Sequence, residues 1–141
     1  MRKTWVVVAD RSRARIFSIE KPRGPLNEIE DLVHPESRAH DRDLTSDRPG
    51  RTSGDNHVLG TAHSARDQQA HEFVREIASR LDSGRNGAQF ERLVLVAGPD
   101  VLGLLRKAMN GHLAKLVVRE VEKNLTQQRA DEIRKLLPEY L

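Results

Sequence analysis

Two runs, Trp5-Val6-Val7-Val8-Ala9 and Leu93-Val94-Leu95-Val96-Ala97, contain no polar side chain. Side chains alternate between the two faces of a strand, so a run that is apolar at every position has to be buried on both. Both runs therefore predict central strands of a sheet that is covered on each side. A covered sheet in a chain of 141 residues means one layered α/β domain.

The rest of the chain supplies the other elements. Asp10-Arg11-Ser12-Arg13 has turn chemistry, and Ala14–Glu20 reads as a second, antiparallel strand. Lys21-Pro22-Arg23-Gly24-Pro25 breaks the chain, after which Leu26–Val33 alternates imperfectly, as expected of a half-exposed edge strand. Ser64 fits an N-cap with Asp67 at capping-box spacing. Ala70, Phe73, Val74, Ile77, Ala78 and Leu81 then form one apolar stripe at helical spacing, ended by Gly84 and Gly87. Gly98-Pro99-Asp100 opens a second helix that Gly111 closes. Val117–Glu122 reads as the fifth strand, and Thr126 caps a last helix carrying Ala130, Ile133 and Leu137. The order βββ-α-β-α-β-α gives a mixed five-stranded sheet, an antiparallel meander extended by two parallel crossovers, with helices on the sheet.

Between the third strand and the first long helix lies His34–His63, read as one long polar loop. It holds five acids, four arginines, four histidines and no aromatic residue. Burial cannot offset the ordering entropy of such a stretch. Long loops inside compact domains tend to be functional or disordered. Charge is unevenly spread: residues 1–25 carry seven bases and two acids, whereas residues 26–63 carry four bases and eight acids. The chain has no cysteine, which excludes disulfides and thiolate metal sites. The apolar run after Met1-Arg2-Lys3 is five residues, too short for a signal peptide, and no stretch is long enough to span a membrane. A soluble cytoplasmic protein is expected.

Several motifs together carry a resemblance. They are Val6-Val7-Val8-Ala9-Asp10-Arg11-Ser12-Arg13-Ala14-Arg15-Ile16-Phe17, His34-Pro35-Glu36-Ser37-Arg38 and Asp47-Arg48-Pro49-Gly50-Arg51. With them stand His71-Glu72-Phe73, Leu93–Pro99 with Leu102-Gly103, and Glu120–Thr126. Over nearly the full chain this set resembles the bacterial host attachment protein family, whose members are required for attachment to host cells. That family is similar to the middle domain of archaeo-eukaryotic translation release factors, a ribonuclease H-like mixed-sheet fold. Release factors of this kind use a Gly-Gly-Gln tripeptide, on the loop before the first long helix, to promote peptidyl-tRNA hydrolysis. No such tripeptide occurs here. Gly87-Ala88-Gln89 is a near match, but it falls in a helix-to-strand turn. Asn124 stands where the family usually has Asp. The resemblance implies the fold, and it implies a host attachment protein without release-factor catalysis. A non-enzymatic macromolecule-binding module is expected, with a ribosomal or structured-RNA partner and no cofactor.

The candidate contacts to nucleic acid are Arg11, Arg13 and Arg15 on the first hairpin and Arg38, Arg42, Arg48 and Arg51 in the polar segment. The plain reading of the hairpin arginines is a solvated edge kept soluble by charge. For the segment it is internal pairing with Asp41, Asp43 and Asp47. The alternative is a hydrolase acting on nucleic acid, either a metal-dependent nuclease or a divergent tRNA esterase. The nuclease version would use Asp10 and Asp100 at neighbouring strand ends, with Glu72 or Asp67 on the intervening helix. It requires Asp10 and Asp100 in one open crevice, and the plain reading makes them a turn former and a helix-dipole partner. His63, Asp67 and His71, at i, i+4 and i+8, form a weaker metal-ligand candidate. A homo-oligomer through the edge strand Leu26–Val33 or the last helix is also compatible with the pattern.

Overall fold

The computed structural model describes residues 3–34, 55–139 and 141, the side chains of 55–64 excepted. Its sheet is built from β1 (Thr4–Ala9), β2 (Arg13–Ile19), β3 (Asn27–Val33), β4 (Arg92–Ala97) and β5 (Val117–Glu122). Spatial order is β3-β2-β1-β4-β5. β1 is antiparallel to β2 and β2 to β3, while β4 runs parallel to β1 and β5 parallel to β4. The mixed five-stranded sheet is therefore as expected, and the two wholly apolar runs are the two inner neighbours β1 and β4.

The helices are α1 (Asp55–Asn86), α2 (Pro99–Ala108), α3 (Gly111–Ala114) and α4 (Ala130–Lys135). Phe73, Val74, Ile77 and Leu81 of α1 and Val101, Leu102 and Leu105 of α2 pack on one face of the sheet, against Trp5, Val7, Ile16, Leu93 and Leu95. On the other face Val6, Val8, Phe17, Ile19, Val94 and Val96 meet Leu125, Ile133, Leu137 and Leu141 from the C-terminal segment. Among the described residues no helix is long and apolar enough to cross a membrane.

Four local expectations are corrected. The long helix begins at Asp55, so residues 55–63 are not part of a loop and Ser64 lies inside the helix instead of capping it. No proline stands between Pro49 and Pro99. Once the packed turns around Phe73 exist, each residue added N-terminally gains a hydrogen bond without a new nucleus. Gly84 is also inside α1, where it lets the Trp5 ring approach; a Cβ there would lie 2.9 Å from two ring atoms. Gly111 opens α3 in place of closing α2, because the Asn110 side chain accepts the Leu113 N–H at 2.8 Å and caps a new turn. Thr126 does not cap α4, which starts after Arg129; its hydroxyl has another partner, described below.

The imperfect alternation of β3 has a structural cause. Ile16 pairs with Glu30 but Phe17 with Glu28, so Ile29 is an extra, bulged residue. The bulge switches faces: Leu32 packs with the α1 side of the core, whereas Leu26 packs with the C-terminal side. It also sends Glu30 to Arg80 of α1, at 2.8 and 2.9 Å, and Glu28 to Arg15 on the opposite face.

Candidate functional site

Because β1 and β4 are parallel neighbours with Ala9 level with Ala97, the segments that leave them emerge side by side. One is the turn Asp10-Arg11-Ser12, the other Gly98-Pro99-Asp100 at the start of α2. Crevices at the carboxyl ends of such strands are common ligand positions. Here Asp10, Arg11, Ser12, Gly98, Asp100, Val101 and Asn124 line a cleft of about 290 Å³.

Asp10 is a turn former first. Its Oδ1 accepts the backbone N–H groups of Ser12 and Arg13, each at 2.8 Å, and its own N–H donates to the Arg13 carbonyl at 2.8 Å. Its Oδ2 accepts the hydroxyl of Thr126 at 2.7 Å. That hydroxyl also lies 3.1 Å from Asn124 Oδ1. A hydroxyl has one proton, and the shorter bond to the charged acceptor takes it. Thr126 is 1% exposed, so this bond ties the chain after β5 to the end of β1 through a buried contact.

Arg11 stands between two helices. Its Nε donates to Asp100 Oδ2 at 2.9 Å and a terminal nitrogen reaches Asp67 Oδ1 on α1 at 3.3 Å. The hydrogen bond from Arg11 holds the Asp100 carboxyl below its usual range, assisted by the backbone N–H of Val101. The same bond to Asp100 raises Arg11 above the ordinary arginine value. All three side chains are about half exposed, at 47%, 53% and 43%.

The other hairpin arginines hold carboxylates of β3. Arg13 makes a two-pronged contact with Asp31 at 3.1 and 2.8 Å. Arg15, 8% exposed, grips Glu28 at 2.9 and 3.0 Å and donates to the carbonyls of Thr126 (3.0 Å) and Gln128. Its guanidinium also covers the Phe17 ring, 5.1 Å from the centroid. The acids come from the next strand, 13 and 18 residues on, and the carbonyls from the C-terminal segment, 111 and 113 residues on.

The structure thus brings Asp10, Asp100, Arg11 and Asp67 together and leaves the other candidates apart. Glu72 lies with Arg75, Glu76, Ser79, Arg80 and Ser83 around a separate open hollow on α1. His63, Asp67 and His71 all fall within α1, but Asp67 bonds Arg11, His71 is exposed, and the His63 side chain lies outside the described residues. Arg38, Arg42, Arg48 and Arg51 lie outside the described residues too. Among the described residues no three His, Asp or Glu side chains form a metal-binding group. Thr126 and Asn124 were not candidates on sequence; Thr126 meets Asp10 across 116 positions, and no local signal marks such a contact.

Comparison with known proteins completes the description. Residues 5–137 match the family described as "Protein required for attachment to host cells". The chain is 29% identical over 72 residues to an uncharacterized protein of Rickettsia prowazekii (strain Madrid E), a match covering 50% of this chain and 48% of that one. It thus spans about half the length of that relative. An archaeal translation termination factor superposes with a TM-score of 0.54 at 10% identity, over 97% of this chain and 35% of that protein. A further archaeal protein superposes at 0.47 and 8% identity, over 92% of this chain and 35% of its own length. The likeness to the termination factor is one of fold. With residues 5–137 matched, the chain belongs to the family of proteins required for attachment to host cells.

Proposed function

We propose that the chain is a non-catalytic binding module with a structured RNA, ribosomal or other, as its partner, and that it serves attachment indirectly from the cytoplasm. One observation carries the reading: the acids at the carboxyl end of the sheet already have cations or N–H donors. Asp10 accepts two backbone N–H groups and a buried hydroxyl, while Asp100 and Asp67 share Arg11. Two-metal phosphoryl chemistry needs carboxylates free to take a cation. A cleft braced in this way is suited to holding the hairpin, α1 and α2 in place. A fold shared with a translation termination factor supports RNA as the partner class. Arg38, Arg42, Arg48 and Arg51 remain proposed phosphate contacts of the segment between β3 and α1.

A second reading, a metal-dependent nuclease, is favoured by one fact: Asp10 and Asp100 do line the same cleft. One experiment separates the two. Labelled structured RNA is incubated with wild type and Asp10→Asn in magnesium and manganese, and both retention and cleavage are measured. The binding module predicts that wild type retains RNA and leaves it intact. Divalent-dependent cleavage by wild type that disappears in Asp10→Asn would establish the nuclease instead.

A further inference from the structure

We infer that the opposite end of the sheet, where β1, β4 and β5 begin, is the surface that takes the phosphate backbone of the RNA. This inference rests on the binding-module reading and names its contact surface.

Four cations converge there. Lys3 precedes β1, Arg92 opens β4, Lys115 precedes β5 and Arg119 lies within it. The segments are in direct contact: the Lys3 carbonyl accepts the N–H groups of Glu91 and Arg92 at 2.9 and 3.1 Å, and Leu93 N–H donates to the Leu116 carbonyl at 2.8 Å. Arg119 is level with Val94, and Arg92 stands two residues before Val94, so both arginines belong to the same face of the sheet. Across three neighbouring strands the row is about 10 Å long, two strand spacings, which suits a polyanion better than a single small anion. Lys3, Lys115 and Arg119 are exposed and Arg92 is half-buried.

These four cations, unlike the hairpin arginines, have no carboxylate partner among the described residues. Arg11, Arg13, Arg15, Arg80 and Arg106 each hold an acid, and a phosphate would have to displace it. Among the described residues none of the four cations at this end of the sheet is in an ion pair. Glu91 adjoins Arg92 and Glu120 adjoins Arg119 in the chain, and Glu20 follows Ile19, which is level with Thr4; all three are exposed to solvent, and Glu120 is held by Arg106. Among the described residues the aromatic rings nearest this end, Trp5 and Phe90, are 4% and 2% exposed, so neither is presented for stacking on bases. Contact would therefore be to phosphates, insensitive to base sequence and strongly salt-dependent. Val118 is the one large apolar side chain exposed on β5, which is little for insertion into a lipid surface.

The test is fluorescence anisotropy of a labelled RNA hairpin titrated with the full chain across a salt series. Variants are Arg92→Gln with Arg119→Gln, and Lys3→Gln with Lys115→Gln, each checked for unchanged thermal melting. Arg75→Gln, on the exposed face of α1 beside Glu72 and Glu76, is the control for loss of charge. Each double variant should bind about tenfold more weakly at low salt and lower the log–log salt slope by about two, on a second hairpin sequence as well. The control should stay within about twofold. If wild type binds and the double variants match it in affinity and slope, this surface is wrong while the binding reading stands. If wild type binds no RNA, the reading fails and the surface with it. Binding to phosphatidylserine vesicles in place of RNA, lost in the same variants, would overturn the assignment in favour of an anionic membrane.

Discussion

Thr126 shows how much a single hydroxyl can hold. It is buried and donates to Asp10 Oδ2, whose other oxygen fixes the β1–β2 turn. Thr126→Val keeps the shape and removes the donor, leaving a carboxylate oxygen unsatisfied, at a cost of about 1–3 kcal/mol in urea unfolding. Thr126→Ser should recover most of that loss; equal losses in the two variants would mean that packing, not the bond, matters. Asp100 provides a pH test. Its folded pKa is depressed by Arg11, so its contribution is present above the unfolded value of about 3.9 and is lost as pH falls through the folded value. The pair is half exposed, which limits it to a few tenths of a kcal/mol. Wild type should exceed Asp100→Asn in urea midpoint at neutral pH, and the gap should close below about pH 4. Asp10 as turn former and Asp100 in the first turn of α2 were legible in sequence, because both roles depend on immediate neighbours. The partners of Arg11, Arg13 and Arg15 were not, since the acids that pair with them stand on other elements.

At the scale of elements, the end of α1 is the most informative. Gln89 N–H donates to the Gly84 carbonyl at 2.8 Å and Ala88 N–H to the Arg85 carbonyl at 3.0 Å, the two bonds of a Schellman cap. The residue in the left-handed position is Ala88, with φ 56°, where glycine is the usual occupant. Ala88→Gly should therefore raise stability by about 1 kcal/mol, visible as a higher melting temperature. No change would indicate that the strain is relieved elsewhere. Gly87-Ala88-Gln89 is thus a helix stop, as its position in a helix-to-strand turn suggested. β1 and β4 could be identified from sequence because complete apolarity has one structural outcome. The start of α1 could not, because residues 55–64 carry no apolar stripe. The switch of faces in β3 was hidden because a bulge at Ile29 leaves only imperfect alternation in the sequence.

Across the whole molecule, the C-terminal segment closes the second face of the sheet and is held there by arginines. Arg15 reaches the carbonyls of Thr126 and Gln128, and Arg134 those of Gly24, Pro138, Pro22 and Glu139. Arg15→Ala would strip Glu28 and two carbonyls of their donor together. A loss of about 3 kcal/mol or more is expected, with early exchange of amides in α4. A loss under about 1 kcal/mol would show that apolar packing of Leu125, Ile133 and Leu137 suffices. On the proposed reading the carboxyl end of the sheet serves as a brace, and the amino end, with its unpaired cations, meets the partner. The most direct test of that account is sedimentation of the full chain with bacterial lysate on a gradient, at low and high salt and after ribonuclease treatment. The account predicts that the chain travels with RNA-containing particles at low salt and returns to the top with high salt or ribonuclease. A chain that stays at the top under every condition, or that keeps its fast-sedimenting position after ribonuclease, would contradict it.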